Sequence, residues 1–116
     1  MEPLIAVREG DAAPDVRSAA VFALGRIDNP RAAEGVRAAL GDSALIVRVA
    51  AARMAGLNED AEATDRLMEM ARTEEPAARR QAAEALGRIG EARAVPVLIE
   101  ASRPRRIPKT ASSNTP

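Results

Sequence analysis

The sequence predicts an all-α protein built as a stack of helical hairpins, and three observations support this. Ala, Arg, Leu and Glu dominate the 116 residues, whereas Trp and Tyr are absent and Phe22 is the only aromatic residue. Such a composition favours helix over sheet. The sequence also matches itself at an offset of 31 residues, and each period holds two helical stretches separated by turn residues. A repeat of that length is typical of stacked architectures.

Positions 31 residues apart form columns of identical or similar residues. The clearest columns are Arg17, Arg48 and Arg79; Ala20, Ala51 and Ala82; and Gly25, Gly56 and Gly87. Small residues in such columns allow neighbouring helices to approach closely. One hairpin cannot bury its own apolar face, so we expect neighbouring hairpins to stack into a continuous core.

Turn residues and prolines predict seven helices. We expect them at about residues 3–9, 14–27, 31–40, 44–57, 61–72, 76–89 and 92–102. Pro14 and Pro76 open their helices at a position where the missing N–H costs little. Gly90 suits the residue that follows a helix C-terminus. In the second helix, the apolar stripe that we expect to face the core is Val16, Ala20, Ala23, Leu24 and Ile27.

We expect a repeat domain at residues 1–102 and a disordered basic tail at residues 103–116. The repeats are expected at about 1–29, 30–60 and 61–91, with a half repeat at 92–102. All seventeen acidic residues precede Arg103, and the tail has three prolines and low hydrophobicity. The last helix has no following partner, which leaves Val95, Leu98 and Ile99 partly uncovered. We therefore expect either a homodimer through the C-terminal end or coverage by the tail through Ile107.

Several function classes are disfavoured by composition. The chain has no Cys, which excludes disulfides and thiolate metal sites, and no His, the commonest general base and metal ligand. We therefore predict no catalysis, no cofactor and no metal site. No apolar run could span a membrane, and the N-terminus lacks a signal-peptide pattern, so a cytoplasmic location is the default expectation.

An acidic cluster precedes the fifth predicted helix. Its members are Glu59, Asp60, Glu62 and Asp65. Oxygen ligands suit Ca²⁺, but no loop of the right length or glycine placement accompanies them. Acidic residues at a helix N-terminus are stabilised by the helix dipole, and we favour that interpretation.

The repeat resembles a known family. The string Pro14-Asp-Val-Arg17 followed by Ala-Leu-Gly-Arg-Ile27 is similar to the HEAT-like repeat of the phycobilin-lyase type, and it recurs from Glu75 to Ile89. The resemblance covers residues 1–102. It implies a right-handed α-solenoid (superhelix) of about three HEAT-like hairpins plus one extra C-terminal helix. Many unrelated scaffolds use this repeat, so it indicates fold rather than function.

The resemblance also implies roles for individual residues. In this family the second helix of each pair lines the concave surface, and an Asp and an Arg six residues apart link neighbouring repeats. The linking residues here would be Asp11 with Arg17, Asp42 with Arg48, and Arg79 with Glu74 or Glu75, since Thr73 replaces the expected Asp. Asn58 replaces the apolar residue that closes the helix in the other repeats, so we expect a looser corner there.

The best functional candidate is the face of the second helices opposite the core stripe. Its residues are Ser18, Phe22, Arg26, Ile46, Val49, Arg53, Leu57, Arg80, Glu84 and Arg88. An apolar patch rimmed by charge marks protein interaction sites. The alternative is that Phe22 and Leu57 fold over to fill gaps beside small Ala residues. The arginine column could likewise bind phosphates, but its fixed spacing from Asp favours the structural link.

These observations predict a non-catalytic scaffold that binds an unidentified protein on the concave face of its second helices, with no membrane partner. Two alternatives remain open. The resemblance suggests an accessory subunit or module of a chromophore or cofactor lyase. The Arg residues and the basic tail suggest a weak nucleic-acid binder, against which the net charge of zero argues.

Overall fold

The structure, a computed structural model, describes residues 12–73 and 75–104. The helix predicted at 3–9, Asp11, Glu74 and the tail from residue 105 onward lie outside the described residues. The helices are α1 (Pro14–Gly25), α2 (Pro30–Ala39), α3 (Leu45–Leu57), α4 (Thr64–Thr73), α5 (Pro76–Ile89) and α6 (Val95–Ser102). Short 3₁₀ turns, Ala61–Ala63 and Ala92–Ala94, precede α4 and α6. The described part of the chain contains no strand, and the prediction of an all-helical protein is confirmed.

The helix ends follow from local chemistry. Pro14, Pro30 and Pro76 each occupy the first turn of a helix, where no intrahelical partner for the N–H is needed. The side chain of Asn29 accepts a hydrogen bond from the backbone N–H of Arg31 at 2.8 Å and so caps α2. Gly90 follows α5 with φ of 77°, a left-handed conformation that suits glycine, as predicted.

The helices form two packed layers. The odd-numbered helices α1, α3 and α5 lie side by side, because α1 packs on α3 and α3 packs on α5. The even-numbered helices cover them: α2 contacts α1 and α3, α4 contacts α5, and α6 contacts both α4 and α5. One continuous cluster of buried apolar residues joins the layers. Its largest fully buried members include Val36, Leu40, Val47, Leu67 and Leu86.

Two glycines set how closely the odd helices approach one another. A Cβ built on Gly25 would lie 2.8 Å from the Cβ of Met54 on α3. A Cβ built on Gly56 would lie 2.6 Å from the Cα of Ala85 on α5. Real Cβ atoms do not come so near, so only glycine permits this spacing. In both cases the contact joins a glycine to the residue 29 positions later.

The third glycine of the column has a different environment. A Cβ built on Gly87 would meet no atom within 4 Å. In the described structure no odd helix follows α5, so the space beside Gly87 is empty. We call the space beside each glycine of this column, where the next odd helix packs, its seat. The glycine column therefore has two occupied seats and one vacant seat.

Of the apolar stripe predicted for α1, only Leu24 packs against the core, and the other four residues are exposed. Val47 and Ala78 are buried, whereas Val16 in the same column is 57% exposed. Ala20, Ala23 and Ile27 are exposed as well. The reason is position in the stack: this stripe faces the preceding repeat, and α1 is the first odd helix of the described structure. The buried residues of α1 are Ser18, Val21 and Gly25, which face α3.

The corner at Asn58, where we expected a looser structure, contains a hydrogen bond between repeats. The side-chain amide of Asn58 donates a hydrogen bond to the carbonyl oxygen of Gly25 at 2.9 Å. The last carbonyls of a helix have no partner within the helix, so this bond satisfies one of them at the end of α1. A polar residue thus ties the middle repeat to the preceding one where the other repeats have Ile.

The two glycine environments predict opposite effects for one substitution. Gly56→Ala should lower the free energy of unfolding by about 1–3 kcal/mol, because the new Cβ would overlap Ala85. Gly87→Ala, the matched control, should be neutral or stabilising by up to about 1 kcal/mol, because the space is open and Ala favours helix. Urea unfolding of both variants measures the difference. Equal destabilisation by the two would contradict the packing described.

Candidate functional site

An ion pair joins the first two described repeats through the loop between α2 and α3. The Arg17 guanidinium donates from Nε to Oδ2 of Asp42 and from Nη2 to Oδ1, both at 2.9 Å. It also donates to the carbonyl of Ala12. Asp42 Oδ1 accepts a further bond from the backbone N–H of Ala44 at 2.8 Å. One carboxylate therefore holds the arginine of the preceding repeat and the start of its own α3.

This geometry differs from the pairing that the resemblance implied. Arg48 donates to Asp42, but to its backbone oxygen at 2.8 Å, while the carboxylate serves Arg17. Asp11, the predicted partner of Arg17, lies outside the described residues. Two members of the arginine column are thus directed at protein oxygens, which favours the structural link over phosphate binding.

The electrostatics of Asp42 follow from these contacts. The hydrogen bonds from Arg17 lower the pKa of the Asp42 carboxyl, and the backbone N–H of Ala44 and the positive charges of Arg17 and Arg48 act in the same direction. Burial opposes them but does not outweigh them. The same hydrogen bonds raise the pKa of Arg17. The hydrogen-bonded pair therefore favours the charged form of both side chains.

The acidic cluster is held by arginines of other repeats. Arg37 contacts Asp60 at 2.6 Å and Glu62 at 3.3 Å, and Arg93 contacts Asp65. The side chain of Asp60 also accepts from the backbone N–H of Glu62 at 3.1 Å, which caps the 3₁₀ turn. No group of three or more acidic side chains in the described part of the chain could hold a metal ion. These contacts favour the helix-start interpretation of the cluster.

The solvent side of the odd helices carries an apolar patch. We call it the odd-helix face, and its residues are Phe22, Arg26, Ile46, Arg53, Leu57, Glu84 and Arg88. Phe22, Ile46 and Leu57 are 39%, 54% and 44% exposed. Because α1, α3 and α5 lie side by side, these residues form one surface that crosses three helices. Phe22 and Leu57 are therefore not folded over to fill internal gaps.

Three residues predicted for this face lie elsewhere. Ser18 is buried between α1 and α3, Val49 is half-buried against the core, and Arg80 lines a groove at the end of the stack. All three share a column, and that column faces the next repeat. Sequence reasoning missed this although a signal was present, because Ser18, Val21 and Gly25 are spaced i, i+3 and i+7 and so share one helix face.

An open groove of about 1030 Å³ lies at the C-terminal end of the stack, bordered by α5 and α6. Residues along it include Arg72, Pro76, Arg80, Ala83, Glu100 and Arg103. Val95 and Ile99 of α6 are exposed at the same end, as the unpaired last helix predicted, while Leu98 is half-buried against the core. The groove is the space that a further odd helix would occupy.

Comparison with known proteins identifies the repeat. A family model described as HEAT repeats matches residues 1–70 and 39–112. The chain belongs to the HEAT-repeat family. No curated protein matches it significantly. HEAT repeats are commonly protein-interaction scaffolds and are typically not enzymes. Among the described helices, none has the length and apolar character needed to span a membrane.

The lowered pKa of Asp42 predicts a pH-dependent effect of Asp42→Asn. A carboxyl whose folded pKa lies below its unfolded value of about 3.9 stabilises the fold above that pH and loses this contribution as pH falls. Asp42→Asn, whose amide oxygen can still accept the hydrogen bond from the backbone N–H of Ala44, should therefore be less stable than the parent at pH 7. The difference should shrink below about pH 4.

Urea unfolding from pH 7 to pH 3 measures this difference. Asp28→Asn is the matched control, because it removes an equal charge from an exposed loop position. A stability gap between Asp42→Asn and the parent that stays constant across this pH range would rule out the ion pair as its source.

Proposed function

We propose that this HEAT-repeat protein is a non-catalytic interaction scaffold that binds a partner protein on its odd-helix face. The observation that carries the proposal is the exposure of Phe22, Ile46 and Leu57 on one surface formed by three packed helices. Large apolar side chains that stay exposed beside charged residues mark a candidate interaction surface. The resemblance adds the geometry: three hairpins and a last helix in a right-handed superhelix would make this face concave.

The charges around the patch indicate the chemistry of the partner. Arg26, Arg53 and Arg88 are exposed on the face, and Glu84 is its one acidic residue. Arg and aromatic residues are the usual energetic anchors of protein interfaces. The partner surface should therefore combine apolar side chains with carboxylates, as an amphipathic acidic helix or loop does.

The two alternative functions have less support. A role beside a chromophore lyase follows from the phycobilin-lyase type of repeat alone, and a change in the absorbance of a bilin on adding the chain would favour it. Nucleic-acid binding through the arginine column has less support, because Arg17 and Arg48 donate to protein oxygens and the net charge of the chain is zero. Their side chains serve the fold.

The test begins with affinity purification from the native cell and mass spectrometry, followed by titration calorimetry with the purified partner. The double variant Phe22→Ala/Ile46→Arg should weaken binding by about 30-fold or more, the loss typical of truncating interface anchors. Both positions are exposed, so the fold should be retained.

Val95→Ala is the matched control, because Val95 is equally exposed on α6 and lies away from the odd-helix face. It should bind as the parent does. Parent-like affinity of the double variant would refute the proposal, and so would an equal loss of binding in Val95→Ala.

A further inference from the structure

The contacts between odd helices follow one register, in which each glycine packs against the residue 29 positions later. At each end of the described stack, one helix presents the residues of this interface without a partner helix. Gly25 receives Met54, and Gly56 receives Ala85. The column of Met54 and Ala85 has a third member, Ala23, which is exposed on α1. The glycine column also has a third member, Gly87, whose seat is open. Ala23, which has no glycine to pack against, and Gly87, whose seat is empty, therefore lie at opposite ends of the described stack.

The same register extends along the whole helix face. In α1 the buried residues at this interface are Ser18, Val21 and Gly25. The residues 29 positions later in α3 are also buried, and they are Val47, Ala50 and Met54. The equivalent exposed residues of α5 are Arg80 and Gly87, with Ala83 half-buried. The residues of α1 that continue the pattern are Val16, Ala19 and Ala23, all exposed. Each end thus presents one side of an interface that the chain forms twice internally.

We propose that a second copy of this chain stacks head to tail on the first, with α1 of the second copy lying on α5 of the first. Ala23 then enters the seat at Gly87, as Ala85 enters the seat at Gly56. The interface is a continuation of the established α1–α3 and α3–α5 packing, which is why the occupant is another copy and not an unrelated helix.

The groove at the C-terminal end runs along Arg80 and Ala83, two of the α5 residues that this occupant would cover. It is open beside α5 and α6, and α6 has no following odd helix in the described structure. In this register Arg80 lies beside Val16, whose neighbour in the chain is the exposed Asp15.

A head-to-tail contact uses different surfaces on the two copies, so it does not close at a dimer. Association should continue into linear oligomers as concentration rises. This distinguishes it from the homodimer through two C-terminal ends that the unpaired last helix suggested. The odd-helix face remains exposed in the stack, because its columns take no part in the α1–α3 or α3–α5 contacts. Self-association is therefore independent of the proposed partner binding.

The experiment is sedimentation equilibrium on the untagged full chain from about 10 µM to about 1 mM, the range in which small interfaces associate. The weight-average mass should rise above the 12.2 kDa of one chain and should pass the dimer value without a plateau. Gly87→Leu fills the seat on α5, which is the tail of the head-to-tail contact. Ala23→Arg blocks the outer face of α1, which is its head. Each variant alone should sediment as a monomer, with unfolding close to that of the parent, because both positions are open to solvent.

Mixing the two blocked variants gives the decisive result. Gly87→Leu keeps an intact head and Ala23→Arg keeps an intact tail, so an equimolar mixture should form dimers that cannot extend. Ile46→Arg, an exposed change in the central α3, is the matched control and should associate as the parent does.

Three outcomes would overturn the proposal. They are a parent that stays monomeric to about 1 mM, a blocked variant that still associates alone, and a mixture that stays monomeric. The same variants separate this proposal from the proposed function. Gly87→Leu should retain partner binding, whereas Phe22→Ala/Ile46→Arg should lose it and still stack.

Discussion

The close approach of neighbouring odd helices at Gly25 and Gly56 governs the rest of the structure. Because the next helix comes within the space that a Cβ would occupy, the helices are held at one separation and one register. That register determines which column of each helix is buried against its neighbour and which is left to solvent. The core, the odd-helix face and the vacant seat at Gly87 all follow from it.

The ion pairs add a second kind of connection on top of this packing. Arg17 with Asp42, Arg37 with Asp60 and Arg93 with Asp65 each join residues more than twenty positions apart. Partly exposed ion pairs contribute modestly to stability. Their geometric effect is more specific, because Asp42 and Asp60 each also accept a hydrogen bond from the backbone N–H two residues later and so order the turn before the next helix. The repeats are therefore fixed both along the helix faces and at the loops between them.

A stack of this kind behaves differently at its ends and in its middle. Val16, Val47 and Ala78 belong to one column, yet only Val16 is exposed. The residue type is nearly constant, so the difference lies in the neighbours. Terminal repeats of a solenoid need polar outer faces to remain separate. In the described residues, the outer side of α1 presents Val16 and Ile27, and the outer side of α5 presents the open position at Gly87.

The sequence alone determined the bounds of the six described helices to within a few residues, because prolines and turn residues act locally. The column of repeated residues likewise gave the period and the HEAT-like family. The sequence also identified Phe22, Ile46 and Leu57 as surface residues. It placed Ser18 on the same surface and Val16 in the core, and both assignments were wrong. Helical periodicity gives the faces of a helix but not which neighbour covers each face. Only the tertiary structure decided that, because burial depends on the register between helices and on where the stack begins and ends.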